Sequence, residues 1–426
     1  MTERYRGNKV LIIGGGISGK GAKSALEKCG AECDIFDESY GEVFPDKSYD
    51  LIVISPAVKN DHYIYDYARE RNIPIIGEIE LGFSLYDGTT VAVTGTNGKT
   101  TTVSLIGEIF SRAGIKTSVC GNIGVSFADC AIRDNSTAAV VEVSSFQLES
   151  IKTFRPHIAC ILNITPDHLD RHKTMKKYAE TKLRIAENQD ESDYMILSQD
   201  EIPLLLLEDF YPKSQILYVS LRGKVRGAYM MNNKLYYNDE FICDRDCVRL
   251  RGNHNIANAL AAICVCRLMG IDRSVIVDVL TEFDSGEHRL RYVDTACGKN
   301  YYNDSKGTNI GATLSACAYM PSSTCLILGG SDKGYEFDEL FEKLPENIKI
   351  VYAIGETASK IRAAAYRNKF YEIEFKESLA EAVKSSLSLE VDNVLLSPAT
   401  ASFDMFSSYK ERGEVFERLV RELKKQ

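Results

Sequence analysis

The sequence predicts an α/β protein of three domains, because short apolar segments typical of buried strands alternate with helical patterns along most of the chain. Two of these strands run directly into glycine-rich turns, at residues 14–19 and 95–98. A strand, a glycine turn and a helix in succession are typical of nucleotide-binding domains. We expect a Rossmann-like domain over residues 1–88, a central P-loop ATPase-like parallel sheet over 89–284, and a second Rossmann-like domain over 285–426.

The composition fits an enzyme with small-molecule partners. Net charge is −9, and acidic and basic residues are interspersed, so we expect no face for nucleic acid or anionic lipid. No segment approaches the roughly eighteen apolar residues of a membrane span. No signal-peptide core follows the first residues, so a cytoplasmic monomer without membrane insertion is expected. The twelve cysteines form no Cys-x2-Cys pair, which favours reduced packing thiols over a zinc site.

The first domain begins with an apolar strand over residues 9–13 and the glycine turn at 14–19. A second strand, over residues 32–36, ends in Asp37 and Glu38. An acid at this position would hold the ribose hydroxyls of NAD, so the segment alone favours an oxidoreductase. A domain of about 88 residues, however, has room for half of a dinucleotide fold, and half binds a single nucleotide. A structural half-fold without a ligand is the remaining alternative.

The most informative segment spans residues 91–102 and combines a buried strand, a loop bracketed by Gly95 and Gly98, and a helix start carrying Lys99 and Thr100. A triphosphate is bound well by inward N–H groups, a helix N-terminus and a lysine over the outer phosphates. The loop is shorter than the general Gly-x4-Gly-Lys-Ser/Thr pattern. A turn with a capping threonine is the alternative, but the joint occurrence of both glycines, the lysine and the threonine favours ATP.

A buried acid follows in the same domain. Residues 138–148 predict a strand with Glu142 near its end, between apolar neighbours. Because a buried carboxylate is costly unless it is paired or bound to a cation, Glu142 is a predicted magnesium ligand. A solvated edge carboxylate is the alternative. On base rates His168 is a hydrogen-bonded turn residue, and Lys182, on a helix predicted from Thr174 to about residue 188, is a surface lysine.

The last domain alternates strands and helices in the pattern of a doubly wound sheet. Strands are predicted over 301–306, 324–330, 349–354 and 393–397, with helices beginning near Thr308, Phe337, Glu356 and Ser402. Loops at the carboxyl ends of such strands bind ligands. The charged and hydroxyl residues there favour an anionic substrate: Asp304, Lys306, Thr308, Asp332, Lys333, Ser397 and Ser402.

Three motifs carry a family resemblance: Gly-Thr-Asn-Gly-Lys-Thr-Thr at 95–101, Asp-His-Leu-Asp-Arg-His at 167–172 and Asn-Asp-Ser-Lys-Gly-Thr-Asn at 303–309. They closely resemble segments of the Mur ligases, and the resemblance covers nearly the whole chain. It implies that this is an ATP-dependent, amide-forming ligase.

The resemblance also implies the ATP and metal ligands. ATP is expected on Gly95, Thr96, Asn97, Gly98, Lys99, Thr100, Thr101, Asn122, Asn258, Arg289 and Asp304. Two Mg2+ ions are expected on Thr100, Glu142, His168 and Lys182. In the family the lysine matching Lys182 is carbamylated by CO2, which converts a cation into an oxygen donor suited to a hard metal. The expected catalytic residues are Lys99, His168, Lys182 and Lys306.

The substrate contacts are implied in the same way. The first domain would hold the uridine diphosphate of the substrate, not NAD, on Ile17, Ser18, Asp37, Glu38 and Ser55. Asn122 and Ser145 are expected substrate contacts outside the amino-acid pocket, and Lys306 is a further expected substrate contact. That pocket is expected to comprise Thr308, Lys333, Ser402, Phe403 and Tyr409, with Phe403 in place of the family's usual leucine.

We therefore expect D-glutamate to be joined to UDP-N-acetylmuramoyl-L-alanine through an acyl phosphate, in the cytoplasmic stage of peptidoglycan precursor synthesis. The reacting groups come from separate domains, so a hinge near residues 284–290 is predicted. Four alternatives remain: a Mur ligase adding L-alanine or a diamino acid, a folylpolyglutamate-synthase-like ligase, an NAD-dependent oxidoreductase using residues 14–19, and a non-catalytic nucleotide sensor. The chain lacks the Asp-Asn-Pro-Arg segment of the diaminopimelate-adding member, and the folylpolyglutamate-type ligase should lack the first domain.

Overall fold

The computed structural model describes residues 3–40, 44–45, 47–133, 136–250, 252–283 and 290–423. The chain divides into two compact units, Met1–Phe283 and Asp284–Gln426. The described residues form three sheets in which most neighbouring strands are parallel, so the predicted α/β class is confirmed. None of the described helices combines the length and the apolar character needed to cross a bilayer.

The first sheet lies at the start of the first unit. It contains β1 (Lys9–Ile13), β2 (Glu32–Phe36), β3 (Leu51–Ile54) and β4 (Ile75–Gly77), with helices α1 (Ile17–Lys28), α2 (Ile64–Glu70) and α3 (Glu78–Leu85). All neighbouring strands are parallel, in the order β2–β1–β3–β4. β1 and β3 are apolar along most of their length because separate cores cover the two faces of the sheet.

The second sheet belongs to the same unit and has nine strands. They are β5 (Thr89–Thr94), β6 (Thr117–Gly121), β7 (Ala138–Glu142), β8 (Ile158–Ile161), β9 (Tyr194–Ser198), β10 (Gln215–Ser220), β11 (Gly227–Met231), β12 (Lys234–Tyr237) and β13 (Glu240–Asp244). The helices are α4 (Lys99–Arg112), α5 (Phe127–Arg133), α6 (Ser145–Leu148), α7 (Leu169–His172), α8 (Met175–Leu183), α9 (Asn253–Leu268) and α10 (Arg273–Glu282).

The strand order places three candidate segments at one edge of this sheet. β5 lies between β8 and β7 and is parallel to both, with Val93 opposite Glu142 on one side and Cys160 on the other. The carboxyl ends of parallel strands meet at the same edge. The segments that follow β5, β7 and β8 are therefore neighbours. Helices α4, α9 and α10 pack on one face of the sheet and α5, α6 and α8 on the other.

Helix α3 joins the two sheets through buried carboxylates. Glu78 accepts a hydrogen bond from the backbone N–H of Ala128, in the first turn of α5, at 2.7 Å. Glu80 accepts the backbone N–H groups of Lys152, Thr153 and Phe154 at 2.8, 2.8 and 3.0 Å. Both glutamates are at most 5 % exposed. They satisfy donors that would otherwise be buried without a partner.

The second unit contains the third sheet. Its strands are β14 (Arg291–Ala296), β15 (Lys299–Asn303), β16 (Thr324–Gly329), β17 (Ile348–Ile354), β18 (Ile373–Phe375) and β19 (Asn393–Leu396). Its helices are α11 (Ile310–Tyr319), α12 (Asp338–Glu342), α13 (Ala358–Arg367), α14 (Leu379–Ser385) and α15 (Tyr409–Leu423). The order is β14–β15–β19–β16–β17–β18, and among the described strands of this sheet only the β14–β15 pair is antiparallel.

Several predicted elements are corrected by the structure. The strand predicted over 138–148 ends at Glu142, because Ser144 and Gln147 form a capping box that starts α6. The helix predicted from Ser402 begins at Tyr409, where the Ser408 hydroxyl accepts the backbone N–H of Glu411.

Four further differences follow, three in strands and one in a helix. β14 was not predicted; it forms a hairpin with β15 through Cys297 and Gly298, both with positive φ. β18 was not predicted either, and β12 and β13 add an antiparallel edge to the central sheet. The helix predicted to continue to residue 188 gives way to a 3₁₀ turn after Leu183.

Candidate functional site

The loop between β5 and α4 is held in a curled conformation by residues that follow β8. Asn163 accepts the backbone N–H of Asn97 with its side chain at 2.8 Å and donates to the Asn97 carbonyl at 3.1 Å. The Thr96 hydroxyl donates to the Thr165 carbonyl at 3.1 Å. Gly98 has φ +84°, and a Cβ there would lie 2.3 Å from the Asn258 side-chain oxygen. Glycine is required at this position both by its conformation and by the close approach of Asn258.

Two lysines meet at the carbonyl of Gly95. Lys99 Nζ donates to the Gly95 and Thr96 carbonyls at 2.8 and 2.9 Å, and Lys182 Nζ donates to Gly95 at 2.9 Å. Two ammonium groups this close repel each other in a low-dielectric environment. An anion bound at this loop would relieve that repulsion.

Base rates predicted that Lys182 is a surface lysine, and the structure shows that this prediction is wrong. Lys182 is 1 % exposed and lies 4.6 Å from the centroid of the Tyr178 ring. Burial lowers the pKa of the Lys182 ammonium well below its ordinary value, the charge of Lys99 lowers it further, and Asp167 opposes the change. The amine is therefore biased towards its neutral, nucleophilic form.

Glu142 lies at the end of β7, where the sheet brings it next to the loop. It is 3 % exposed, and its Oε1 accepts a hydrogen bond from Asn122 Nδ2 at 2.9 Å. Its Oε2 is buried without a hydrogen-bond partner. An unpartnered carboxylate oxygen is costly to bury unless a cation binds it. This donor therefore fits a hard divalent metal.

The candidate metal ligands do not form a complete cage by themselves. In the described ranges, no group of three or more His, Cys, Asp or Glu side chains stands close enough to hold a metal ion. His168 is 41 % exposed at its side chain, has φ +53°, and its Nε2 lies 3.7 Å from Asp167 Oδ2. A site built on Glu142 would need phosphate oxygens, water or a further anion, which is how Mg2+ is usually bound in proteins.

Ser145 begins α6 and is connected to the motif at 167–172. Its hydroxyl lies 3.0 Å from Nε2 of the buried His172. Burial lowers the pKa of His172, and the neighbouring Glu149 carboxylate opposes the change. Arg171 forms an ion pair with Glu149 and donates to the carbonyls of Pro56 and Val58, at 2.8 and 3.0 Å.

That contact ties the central sheet to the loop after β3 in the first sheet, where Ser55 lies. On this edge Asp37 accepts the backbone N–H of Gly15 at 2.6 Å and the hydroxyl of Ser39 at 2.6 Å. These hydrogen bonds, with that of Ser39 foremost, lower the pKa of Asp37. Gly14 packs closely on Ser55, because a Cβ on Gly14 would lie 2.7 Å from that of Ser55.

Of the three other candidates of the first sheet, two are exposed. Ile17 is 70 % exposed, and the Glu38 side chain is 56 % exposed and lies 3.5 Å from His62. Ser18 is half-buried at the start of α1. The structure thus brings Ser18, Asp37 and Ser55 to the carboxyl edge of the first sheet.

The second unit brings its candidates to the carboxyl ends of β15, β16 and β19. Lys306 Nζ lies 3.8 Å from the centroid of the Tyr409 ring, and Lys333 Nζ donates to the Thr308 carbonyl at 3.1 Å. Asp304 accepts the hydroxyl of the buried Ser397 at 2.7 Å.

The next three candidates are Ser402, Phe403 and Arg289. The Ser402 hydroxyl is buried without a hydrogen-bond partner, whereas Phe403 is 75 % exposed. Arg289, and with it most of the predicted hinge, lies outside the described residues.

Sequence reasoning missed residues that hold the site together. Asn163 and Tyr178 contact the loop but received no role. Asn163 follows β8, so the sequence could have indicated that it lies at the same sheet edge as the loop after β5. Arg412 in α15 received no role either, although it is completely buried; nothing in its local pattern indicates this.

The sequence of this chain matches a known protein family and is similar to known ligases. Residues 93–266 match the Mur ligase middle domain. The UDP-N-acetylmuramoylalanine--D-glutamate ligase of Koribacter versatilis is 42 % identical, over 99 % of both chains. The corresponding ligase of Thermoanaerobacter pseudethanolicus is 39 % identical, also over 99 % of both.

Solved structures show the same fold at low sequence identity. The MurF ligase of Thermotoga maritima, in complex with ADP, is 16 % identical with a TM-score of 0.64, covering 99 % of this chain and 97 % of its own. A pseudomurein peptide ligase type C from Methanothermus fervidus is 17 % identical with a TM-score of 0.63, covering 97 % and 100 %.

Proposed function

The chain belongs to the Mur ligase family, and from that premise we propose that it joins D-glutamate to UDP-N-acetylmuramoyl-L-alanine with cleavage of ATP, in peptidoglycan precursor synthesis. The observation that carries the phosphoryl chemistry is the meeting of Lys99 and Lys182 at the Gly95 carbonyl. The choice of D-glutamate is supported by the full-length relatives that are named for it. The cytoplasm is part of the proposal, because ATP is supplied there, and so is a monomeric state.

The proposed reaction has two steps. An oxygen of the substrate carboxylate forms a bond to the γ-phosphorus of ATP, the bond to ADP breaks, and an acyl phosphate results. The amino nitrogen of D-glutamate then attacks the acyl carbon, phosphate leaves through a tetrahedral species, and the nitrogen loses its proton. Catalysis of such a transfer depends mainly on positioning and charge neutralisation.

The residues of the first unit would supply both effects. Lys99 and the N–H groups at the start of α4 would bind the outer phosphates, and the Asn258 side chain packs closely on Gly98 of the loop. Thr100, Glu142 and His168 would hold Mg2+ together with phosphate oxygens. When bound, the metal would neutralise charge on the phosphates and the attacking carboxylate.

We propose further that Lys182 is carbamylated. Its buried neutral amine would attack the carbon of CO2, lose a proton and become a carbamate anion. That anion would pair with Lys99 and offer oxygen donors to a metal ion, removing the repulsion between the two lysines.

Carbamylation can be tested independently of turnover. We expect a new carbamate signal by 13C NMR after incubation with 13C-bicarbonate, and its loss in Lys182→Met. If the wild-type and variant spectra are identical, Lys182 is not carbamylated.

In the second unit Lys306, Thr308, Lys333, Ser402, Phe403 and Tyr409 would receive D-glutamate, with Lys306 and Asp304 also reaching ATP, and Arg289 would contact its phosphates. The support is the gathering of the described members at the ends of adjacent strands. In the first sheet Ile17, Ser18, Asp37, Glu38 and Ser55 would hold the uridine diphosphate, and Asn122 and Ser145 the reacting end of the substrate. Domain boundaries near residues 88 and 284 belong to the same proposal.

The decisive experiment measures phosphate release with UDP-N-acetylmuramoyl-L-alanine, ATP and a panel of amino acids. We expect product with D-glutamate and none with L-alanine or a diamino acid. Lys99→Met should abolish release, and Lys116→Met, at an exposed lysine beyond the same helix, should not. Product with another amino acid but not with D-glutamate would refute the assignment within the family.

A further inference from the structure

The second unit contains a buried charged side chain that has no role in the proposed reaction. Arg412, in α15, has no exposed surface. Burial lowers the pKa of its guanidinium to about 10, so the group stays charged at neutral pH. Among the described residues it forms no ion pair; the charges of Asp404 and Asp304 oppose the fall in its pKa but act at longer range.

The hydrogen bonds of Arg412 all go to neutral oxygens. Nε donates to the Ser305 hydroxyl at 3.0 Å, and Nη2 to the Ser305 carbonyl at 2.9 Å. Nη2 also donates to the Thr400 carbonyl at 3.2 Å, and Nη1 to the Ala401 carbonyl at 3.1 Å. The guanidinium thereby bridges the loop after β15 and the loop after β19.

A third loop packs against the same group. A Cβ on Gly330, which follows β16, would lie 2.2 Å from the Ala401 carbonyl and 3.1 Å from Arg412 Nη1. The Ser331 N–H donates to the Ala401 carbonyl at 3.0 Å. Since β15, β19 and β16 are adjacent, one side chain braces three consecutive strand ends. Each of these loops carries a residue proposed to receive the amino acid: Lys306, Lys333 and Ser402.

These contacts use four of the five N–H groups of Arg412, and among the described residues no carboxylate pairs with its positive charge. Two hydroxyls of the loop after β19, Thr400 Oγ1 and Ser402 Oγ, are buried without a hydrogen-bond partner. A buried charge without a carboxylate partner is usually less stable than apolar packing. A binding role for an anion accounts for its presence at these loops.

We propose that Arg412 is a positioning residue that sets the geometry of the amino-acid-binding loops and gives them a permanent positive potential for an amino acid with two carboxylates. The inference rests on the proposed function. It implies that losing the guanidinium weakens the use of D-glutamate more than the use of ATP or of the UDP-linked substrate.

The test compares Michaelis constants in Arg412→Lys and Arg412→Ala with those of the wild type. We expect the KM for D-glutamate to rise at least about tenfold more than the KM for ATP, since small misplacements at an active site have large effects. Low millimolar guanidinium should restore the D-glutamate KM of Arg412→Ala. Urea, which has a similar shape but no charge, should not.

Controls keep the outcome interpretable. Arg421→Ala lies on the same helix, but its side chain is 62 % exposed and paired with Glu417, so wild-type constants are expected. If the Arg412 variants do not fold, Ser305→Ala removes one acceptor of the guanidinium and should raise the same KM selectively.

Three results would overturn the inference: an unchanged D-glutamate KM in folded variants, an equal rise in the KM for ATP, or equal restoration by urea and guanidinium. If the wild-type chain makes no product with D-glutamate, the proposed function fails, and this inference fails with it.

Discussion

Glu78 offers a sharp test of how burial controls stability in the first unit. It is 2 % exposed at the junction between α3 and α5, and burial raises its pKa from 4.5 to about 7, despite the hydrogen bond from Ala128. At about 1.4 kcal/mol for each tenfold change in an ionisation constant, this corresponds to about 3 kcal/mol. Between pH 4.5 and 7 the unfolded chain has released this proton and the folded chain has kept it, so stability falls as pH rises.

Glu78→Gln keeps an acceptor for Ala128 and removes the ionisation. The free energy of unfolding of the variant, relative to wild type, should therefore increase by about 3 kcal/mol from pH 4.5 to pH 8. Urea titrations followed by far-UV circular dichroism would measure it, using the transition of the unit Met1–Phe283. A difference between variant and wild type that stays within about 1 kcal/mol across this pH range would refute the reasoning.

Three other substitutions follow from the same structure. Glu80→Gln should destabilise by about 2–4 kcal/mol at pH 7, because its amide would oppose the donors at residues 152–154; urea unfolding measures it. Lys182→Met should change stability by less than about 1 kcal/mol, since Gly95 keeps its bond from Lys99, yet nearly abolish ligation. Lys182→Ala should regain some activity with acetate; wild-type turnover in either variant would contradict the proposed role. Glu142→Gln should fold at least as stably as wild type, because the unpartnered charge is gone. The magnesium concentration for half-maximal phosphate release should rise at least about tenfold. An unchanged magnesium dependence would show that Glu142 does not belong to the metal site.

The sequence by itself determined the α/β class, the strands that precede each glycine turn, and the chemical types gathered near the phosphate loop. These features follow from local properties: apolar strand segments, glycines that allow positive φ, and the short range of capping interactions. Local interactions also explain two of the errors. The Ser408 cap starts α15 later than predicted, and the Cys297–Gly298 turn forms a hairpin where the strand β14 was not predicted.

Only the tertiary structure decided which side chains are buried and which are neighbours. Lys182 lies on a polar-looking helix, and only packing against Tyr178 and the phosphate loop removes its ammonium from water. Arg412 likewise becomes a brace only because β15, β19 and β16 are adjacent in space, although they are far apart in the chain. Burial and strand order are global properties, and the local sequence does not encode the desolvation that sets the charge of these groups.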